Sequence, residues 1–583
     1  MEFNRNANTI NSKHAEFFLP ALVLNLTGMI LGIFDSVIAG NLLGAISLSA
    51  IRLIMPLGLI TSALVSMIVM ASEIFLSKAS GADNKEQRNR VFSIGLLLSI
   101  SVSALCAVLC LSLKNPICNF LTQDDELLDL LMKYYVWFIL DVPAWAMVAY
   151  VSLCIKLNGF PKFSSGIMSV SIILNIILDW LFMGPAGMDI TGASLATFIS
   201  HVIVLTIAIG YYLKKNTIFR FDIAVLGPQF KQSSAIASKM LSTGFSGSFV
   251  MTMCMSVSAW YLNTLAQEYG GSSALLAYTI VATADAILFI FVSATIGAMT
   301  PMVGTFLGES DFDGIRYVYR RSKILLVTGS LVTIALVCCF PELLAKAFGV
   351  RDRQDLELAA RMLRICAAGY LFLAYIPMFG SYYATLGRPK FSMVITLMRL
   401  IVFTVVPTYI LTHFLGLDGF MISIPLSYFL TVAFIIAVVT VIRKKNPGKY
   451  RGLLLLDESM TRQVVSLSLK ATTEQASQVS EFLQKEFENR KMDKKQSYLI
   501  AVAAEEVTVD ICSRTENKIA DIDIRIVEIE GHNTLIIRDN GKQFNPLENV
   551  SDDLSSIGML VKICRNVEYF NVLGFNKLKI TID

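Results

Sequence analysis

Charge is scarce in this chain. Only 16% of its 583 residues are Asp, Glu, Lys or Arg, against 55% hydrophobic, and the mean hydropathy is +0.62. A globular protein in water needs more polar surface than that, so a wholly soluble enzyme is excluded and a polytopic membrane protein is expected. The ten cysteines show no Cys-x-x-Cys or other metal-ligand spacing, and eight lie in or beside apolar runs, where they read as filler. No GxxxxGK[ST] P-loop occurs, which excludes an ATP-driven export motor. The first apolar run is not followed by a small-residue cleavage site, so it reads as a retained helix and not a removed signal peptide. No nucleic-acid partner is expected.

The charges present are unevenly spread. Residues 453–583 hold 21 acids and 16 bases, a net −5, which leaves about +9 for the apolar remainder of a chain whose total is +4. The tail is therefore expected to be a separate, water-soluble domain.

The first 450 residues contain one membrane segment twice. GFPKFS at Gly159 to Ser164 returns as GRPKFS at Gly387 to Ser392, and Gly44, Gly81 and Gly192 return as Gly271, Gly308 and Gly419 at an offset of 227 or 228. A duplicated apolar half is a common plan for secondary transporters, with substrate enclosed between the repeats. Apolar runs of spanning length fall near 17–39, 50–77, 91–113, 131–155, 163–183 and 191–213, then near 241–266, 273–303, 323–340, 362–386, 391–412 and 420–442. The expectation is twelve transmembrane helices in two parallel six-helix repeats, lobes 1–226 and 227–442, followed by a basic linker 443–462 and the tail 463–583. Lys and Arg gather in alternate loops, at Lys85, Arg88 and Arg90, at Lys156 and Lys162, and at Arg316, Arg320 and Arg321. Those loops, and with them both termini, should be cytoplasmic. The basic stretch Arg351 to Arg361 is the exception on the opposite side and reads as an interfacial helix.

A carboxylate at the centre of a membrane helix costs roughly 2.5–3.5 kcal/mol, so intramembrane acids are candidate functional groups. Asp35 falls in the first helix, Asp141 in the fourth, Asp179 in the fifth and Asp285 in the eighth, with Glu73 near the cytoplasmic end of the second. Asn175 and Asp179 are four apart, on one helix face. Asp141 precedes Pro143 and serves a helix bend as readily as proton transfer. Arg399 reads as a cation that snorkels or pairs with an acid, and His201 and His413 read as packing residues.

The runs FDSVIAGNLLGAISLSA, SGADNKEQR, NGFPKFSSG, LNIILDWLF and GMDITGASLAT, with the GRPKFS repeat, resemble the MATE (multidrug and toxic compound extrusion) family over about 430 residues. The resemblance implies a cation-coupled antiporter exporting organic, cationic or amphipathic compounds with Na+ or H+ as coupling ion. It implies a cation site in the N-terminal lobe made of Asp35, Asn175, Asp179 and Thr197. All ligands there would be oxygen, which suits a hard cation, and two adjacent carboxylates allow a proton to substitute. Asp285 supplies a candidate second acid in the other lobe. A Met- and aromatic-lined cavity would bind bulky amphipathic cations.

In the tail, VVSLSLKA alternates, amphipathic helices follow near 473–490 and 494–513, and DIDIRIVEIE with HNTLIIRDN reads as a hairpin. A helix near 556–565 and two strands close an α/β sandwich. This order resembles the GHKL ATP-binding fold in its anti-sigma-factor serine-kinase version. That resemblance implies Mg-ATP binding, with Glu506 and Asp510 toward the metal, Asp539 and Gly541 at the adenine end, and Gly558 near phosphate. Asp510 stands in place of the usual Asn, Gln543 in place of the second Gly of the turn, and Ser556 in place of a Gly of the phosphate loop, which adds negative charge and restricts backbone approach. The tail then regulates or senses, with a cytoplasmic regulatory protein as a candidate partner, and kinase or ATPase activity stays open. Two alternatives stand beside export: a lipid-linked oligosaccharide flippase, disfavoured by the few intramembrane cations, and a membrane-tethered serine kinase.

Overall fold

The computed structural model describes residues 3–214, 217–347, 350–457, 462–490, 492–514, 520–529, 532–548 and 556–582, with backbone alone at 33–41, 43–45, 451, 462–464, 529 and 556. Helices fill the first three quarters: α1 (Asn8–Leu53), α2 (Met55–Gly81), α3 (Lys85–Ser112), α4 (Lys114–Leu121), α5 (Asp125–Leu157), α6 (Pro161–Met183) and α7 (Asp189–Lys214). They continue as α8 (Phe230–Gly244), α9 (Val250–Gly308), α10 (Phe312–Cys339), α11 (Pro341–Ala347), α12 (Arg353–Ala367), α13 (Tyr370–Thr385), α14 (Pro389–Leu397), α15 (Phe403–Leu415) and α16 (Leu417–Lys445). Single π-helical turns, Phe245–Phe249 and Met398–Val402, join α8 to α9 and α14 to α15.

Among the described residues, ten helical segments are long and apolar enough to cross a membrane, or eleven if the pair α12 and α13, bent by 51°, counts as one. One of the ten is Phe230–Gly308, 79 residues. At about 1.5 Å per residue a straight helix of that length would run roughly 120 Å, about four times the hydrocarbon core. It is not straight, because Gly271 takes φ 64°, ψ −157°, a backbone geometry that only glycine adopts without strain. The helix predicted as interfacial is α12, which packs Met362, Leu363 and Cys366 inward.

Both lobes meet most closely where α2 crosses the end of α9. A Cβ on Gly81 would lie 1.9 Å from the Thr305 carbonyl oxygen, and one on Gly308 would lie 2.2 Å from that of Lys78. Glycine at these positions of both repeats lets backbone touch backbone. This is also the end that carries the termini.

The tail begins with the hairpin β1 (Tyr450–Arg451) and β2 (Leu456–Asp457), which leaves only 446–449 of the expected linker without structure before it. Then follow β3 (Arg462–Lys470), α17 (Thr473–Asn489), α18 (Lys494–Arg514), β4 (Asp521–Ile529), β5 (His532–Asp539), α19 (Ser556–Ile563), β6 (Asn566–Val572) and β7 (Phe575–Ile582). Five strands form an antiparallel sheet in the order β3-β4-β5-β7-β6. Alternation at period two sends Leu467, Ile522, Ile524, Ile537 and Ile580 toward α17 and α18, where they make the tail's own core. The opposite face is not bathed in water, as a separate soluble domain would have it, but is packed on the helical part. The β1–β2 hairpin is tied to the helices as well: Tyr382 and Tyr383 of α13 donate hydrogen bonds to the carbonyls of Leu454 and Leu453 in its turn at 3.0 and 2.8 Å.

Candidate functional site

Pro161 opens α6, where its missing N–H costs nothing. The helix then presents Asn175 and Asp179 one turn apart, against α7 and α1. Asn175 Nδ2 donates to Thr197 Oγ1 at 3.1 Å, and the Thr197 hydroxyl donates to the Ala193 carbonyl at 3.2 Å. Asp179 is 2% exposed. The structure thus brings together Asn175 and Thr197, with Asp179 one turn along. Asp35 lies on α1, which packs against α6, but its side chain is outside the described residues. The donors present are carboxylate, amide and hydroxyl oxygens, a set that fits a hard monovalent cation or a proton.

Sequence reasoning missed a neighbouring pair. Asp141 Oδ1 and His201 Nδ1 lie 2.7 Å apart, and His201 packs on Trp145. His201 is therefore a polar partner, not only a packing residue. The two are sixty positions apart on different helices, so no spacing rule could link them.

Asp285 belongs to the other lobe. Its electrostatic neighbours are Arg399 and Tyr370, not the Asn175–Thr197 pair. Arg399 does not snorkel: it is 8% exposed, with its guanidinium 5.7 Å from the ring centre of Tyr428. It borders a cavity of about 230 Å³ between the lobes, lined also by Met70, Glu73, Gly247, Met251 and Thr300. Both π-helical turns reach this cavity, through Gly247 and Arg399. Such one-turn bulges expose backbone otherwise used in the helix and recur at functional sites. Glu73 is not free there, since Lys156 Nζ donates to it at 2.6 Å.

In the tail, Asp539 accepts from Asn576 Nδ2 at 2.9 Å and from the Gly541 amide at 2.8 Å. Burial raises its carboxyl above the usual range, and those hydrogen bonds pull it back. The cleft beside it holds only about 10 Å³, far below the roughly 300 Å³ at which ligand pockets begin. Arg514 lies 4.4 Å over the Phe544 ring inside it and pairs with Asp510. Glu506 and Asp510 stand on α18 but do not line the cleft, and Gly558 lies in α19 beyond the undescribed stretch 549–555. No group of three or more metal-ligating side chains occurs among the described residues. Of the residues predicted for Mg-ATP, Asp539 alone lines this cleft among the described residues.

Residues 20–181 and 247–410, together just over half of the chain, match the MatE family model. The chain is 23% identical over 418 residues to a FAD transporter of Shewanella oneidensis, covering 70% of this chain and 90% of that protein. It is 25% identical over 254 residues to the multidrug export protein MepA of Staphylococcus haemolyticus, and spans only 55% of that relative's length. Among solved structures, the Vibrio cholerae MATE transporter VcmN in the bent form superposes with a TM-score of 0.68 at 20% identity, over 76% of this chain and 98% of that one. An outward-facing multidrug resistance MATE family transporter gives 0.67 at 18%, over 76% and 99%. These structures share the fold.

Proposed function

Because the chain belongs to the MatE family, we propose that it exports small organic compounds across the cytoplasmic membrane as a Na+- or H+-coupled antiporter. It is a multi-pass membrane protein and a secondary transporter, not an enzyme. Counting the arms on either side of Gly271 as separate crossings, and α12 with α13 as one, gives twelve and so puts both termini on one side, which the basic loops favour as the cytoplasmic one. The observation that carries the coupling is the buried Asp179 beside the Asn175–Thr197 pair. A buried carboxylate is costly while charged, so neutralising it by cation or proton changes the energy of the lobe that holds it. When bound, the coupling ion supplies that neutralising charge. Asn175, Asp179 and Thr197, with Asp35 of α1, would hold it.

Met70, Met251 and Glu73 on the cavity wall are compatible with a cationic or amphipathic substrate, although the described residues of the wall include none of the aromatic side chains expected of it. Arg399 on the same wall supports a second reading, a substrate bearing an anionic group, and the FAD transporter among the relatives is compatible with it. The tail, helices on one face of an antiparallel sheet, is compatible with a degenerate GHKL-type module whose role is regulation, not nucleotide turnover. Purified protein in vesicles under imposed Na+ or proton gradients tests the central claim. Gradient-driven substrate movement is expected, and movement indifferent to both gradients would sink the antiporter.

A further inference from the structure

The face of the tail sheet turned toward the helical part carries charge where a buried surface would ordinarily be apolar. Asp523 of β4, Arg525 of β4, Arg538 of β5 and Lys577 of β7 occupy it, and Arg538 and Lys577 are cross-strand partners. They meet two loops that are copies of each other, the α2–α3 loop with Asp83 and the α9–α10 loop with Glu309 and Asp311. Lys577 Nζ lies 2.7 Å from Asp83 and 3.1 Å from Glu309, so one ammonium bridges the two lobes. Arg538 pairs with Glu309, and the Arg525 and Arg538 guanidinium groups stand 3.6 and 3.7 Å from Asp311. Arg5 adds a third strand to the knot, donating to Asp311 at 2.7 Å and to Asp523 at 2.8 Å. Four cations thus face four carboxylates, each at most 9% exposed.

We propose that the tail is a clamp, whose sheet docks on the duplicated loops of both lobes at once and holds that mouth of the transporter shut. The electrostatics explain why a clamp is needed. Closing the α2–α9 crossing gathers Asp83, Glu309 and Asp311 from two lobes, and burial first, with Glu309 adding to it, pushes the Asp83 carboxyl upward against the pull of Lys577. Like charges brought together away from water repel, and a cation bridging them converts the repulsion into attraction. Separating the lobes would pull Asp83 away from Glu309 and leave Lys577 with one of them. The docked sheet therefore binds the closed arrangement better than the open one, which is the condition for shifting a two-state population. Two further contacts hold the tail to both lobes. The β6–β7 turn at Gly574 lies against Gly159 of the N-terminal lobe so closely that a Cβ on Gly159 would sit 2.5 Å from the Gly574 Cα, and Tyr382 and Tyr383 anchor β1–β2 to the C-terminal lobe.

The inference rests on the transporter reading for its consequence, but lobe separation can be measured without substrate. Fluorophores placed by bio-orthogonal chemistry at exposed Gln87 of α3 and Arg320 of α10 report the distance between lobes in the full chain. The wild type should show one short-distance population. Lys577→Gln and Arg538→Gln should raise a longer-distance population about tenfold, and Arg5→Gln should do so from outside the sheet. Lys577→Arg keeps the bridging charge and should resemble wild type, which separates loss of charge from misfolding. Unchanged distances in all three Gln variants would overturn the clamp, as would opening by Lys577→Arg equal to that by Lys577→Gln. Absence of gradient-driven export with these distance shifts intact would count against the transport reading alone.

Discussion

Asp179 is a carboxylate held almost out of water, 2% exposed, where its charge is costly. Asp179→Asn keeps its size and removes the charge, so gradient-driven export should fall by about tenfold or more while the protein stays inserted. Asp35→Asn should do the same, and the double variant should be little worse, as for residues acting as a unit. Equal export by both single variants, measured in vesicles, would remove the N-terminal lobe from the coupling mechanism. Arg399 separates the two substrate readings. Arg399→Gln should weaken binding of anionic substrates by about tenfold or more, the scale of one charge-assisted hydrogen bond, about 1.5–3 kcal/mol, while Arg399→Lys retains part of it. A loss confined to cationic substrates in competition assays would contradict the anionic reading.

Among the helices, the α2–α9 crossing depends on glycine. Gly81→Ala would place a methyl 1.9 Å from the Thr305 carbonyl, and backbone on both sides cannot yield. The helices must part, which should destabilise the protein by about 1–3 kcal/mol and lower its thermal midpoint in detergent. Gly166→Ala in α6 is the control, since nothing lies within 4 Å of its Cβ position. There the gain in helix propensity, about 0.5–1 kcal/mol, should dominate. Similar midpoints for the two variants would mean that the crossing is looser than its geometry indicates.

At the scale of the whole molecule, docking of the tail is linked to pH through two carboxylates of opposite behaviour. Burial alone would raise Asp311, but Arg5, Arg525 and Arg538 outweigh it and hold the carboxyl below the usual range. Its contribution is present above the free value of about 3.9 and is lost only as pH falls through the depressed docked value. Asp83 is raised, by burial first, with Lys577 opposing and Glu309 adding. Docked Asp83 holds a proton more tightly than free Asp83, so lowering pH toward about 3.9 favours docking. Both signs predict that mild acid does not release the tail. Hydrogen exchange in the two loops, corrected for intrinsic rate, should be no faster at about pH 5.5 than at about pH 7.5. Faster exchange at the lower pH would contradict the assignment.

The repeat, the membrane character and nearly every tail element were legible from residue order alone. Periodicity and hydropathy are local properties: the hairpin of β4 and β5 and the helices α17 and α18 stand within a residue or two of where their patterns put them. The Asn175–Thr197 contact followed from family resemblance, not from spacing. What one dimension could not show is which charges face one another. Alternation placed Arg538 and Lys577 opposite Asp539 and Asn576 across the sheet, but only packing decided that their face would be buried against Asp83 and Glu309. The same holds for Asp141 with His201 and for the two π-helical turns that meet at one cavity. The narrow cleft beside Asp539 was hidden for a related reason, since Arg514 and Phe544 are unremarkable in sequence and fill it only when α18 and the loop after β5 pack together. Element identity comes from short-range sterics and solvent preference, whereas ion pairing and cavity shape depend on distances that exist only after the chain has folded.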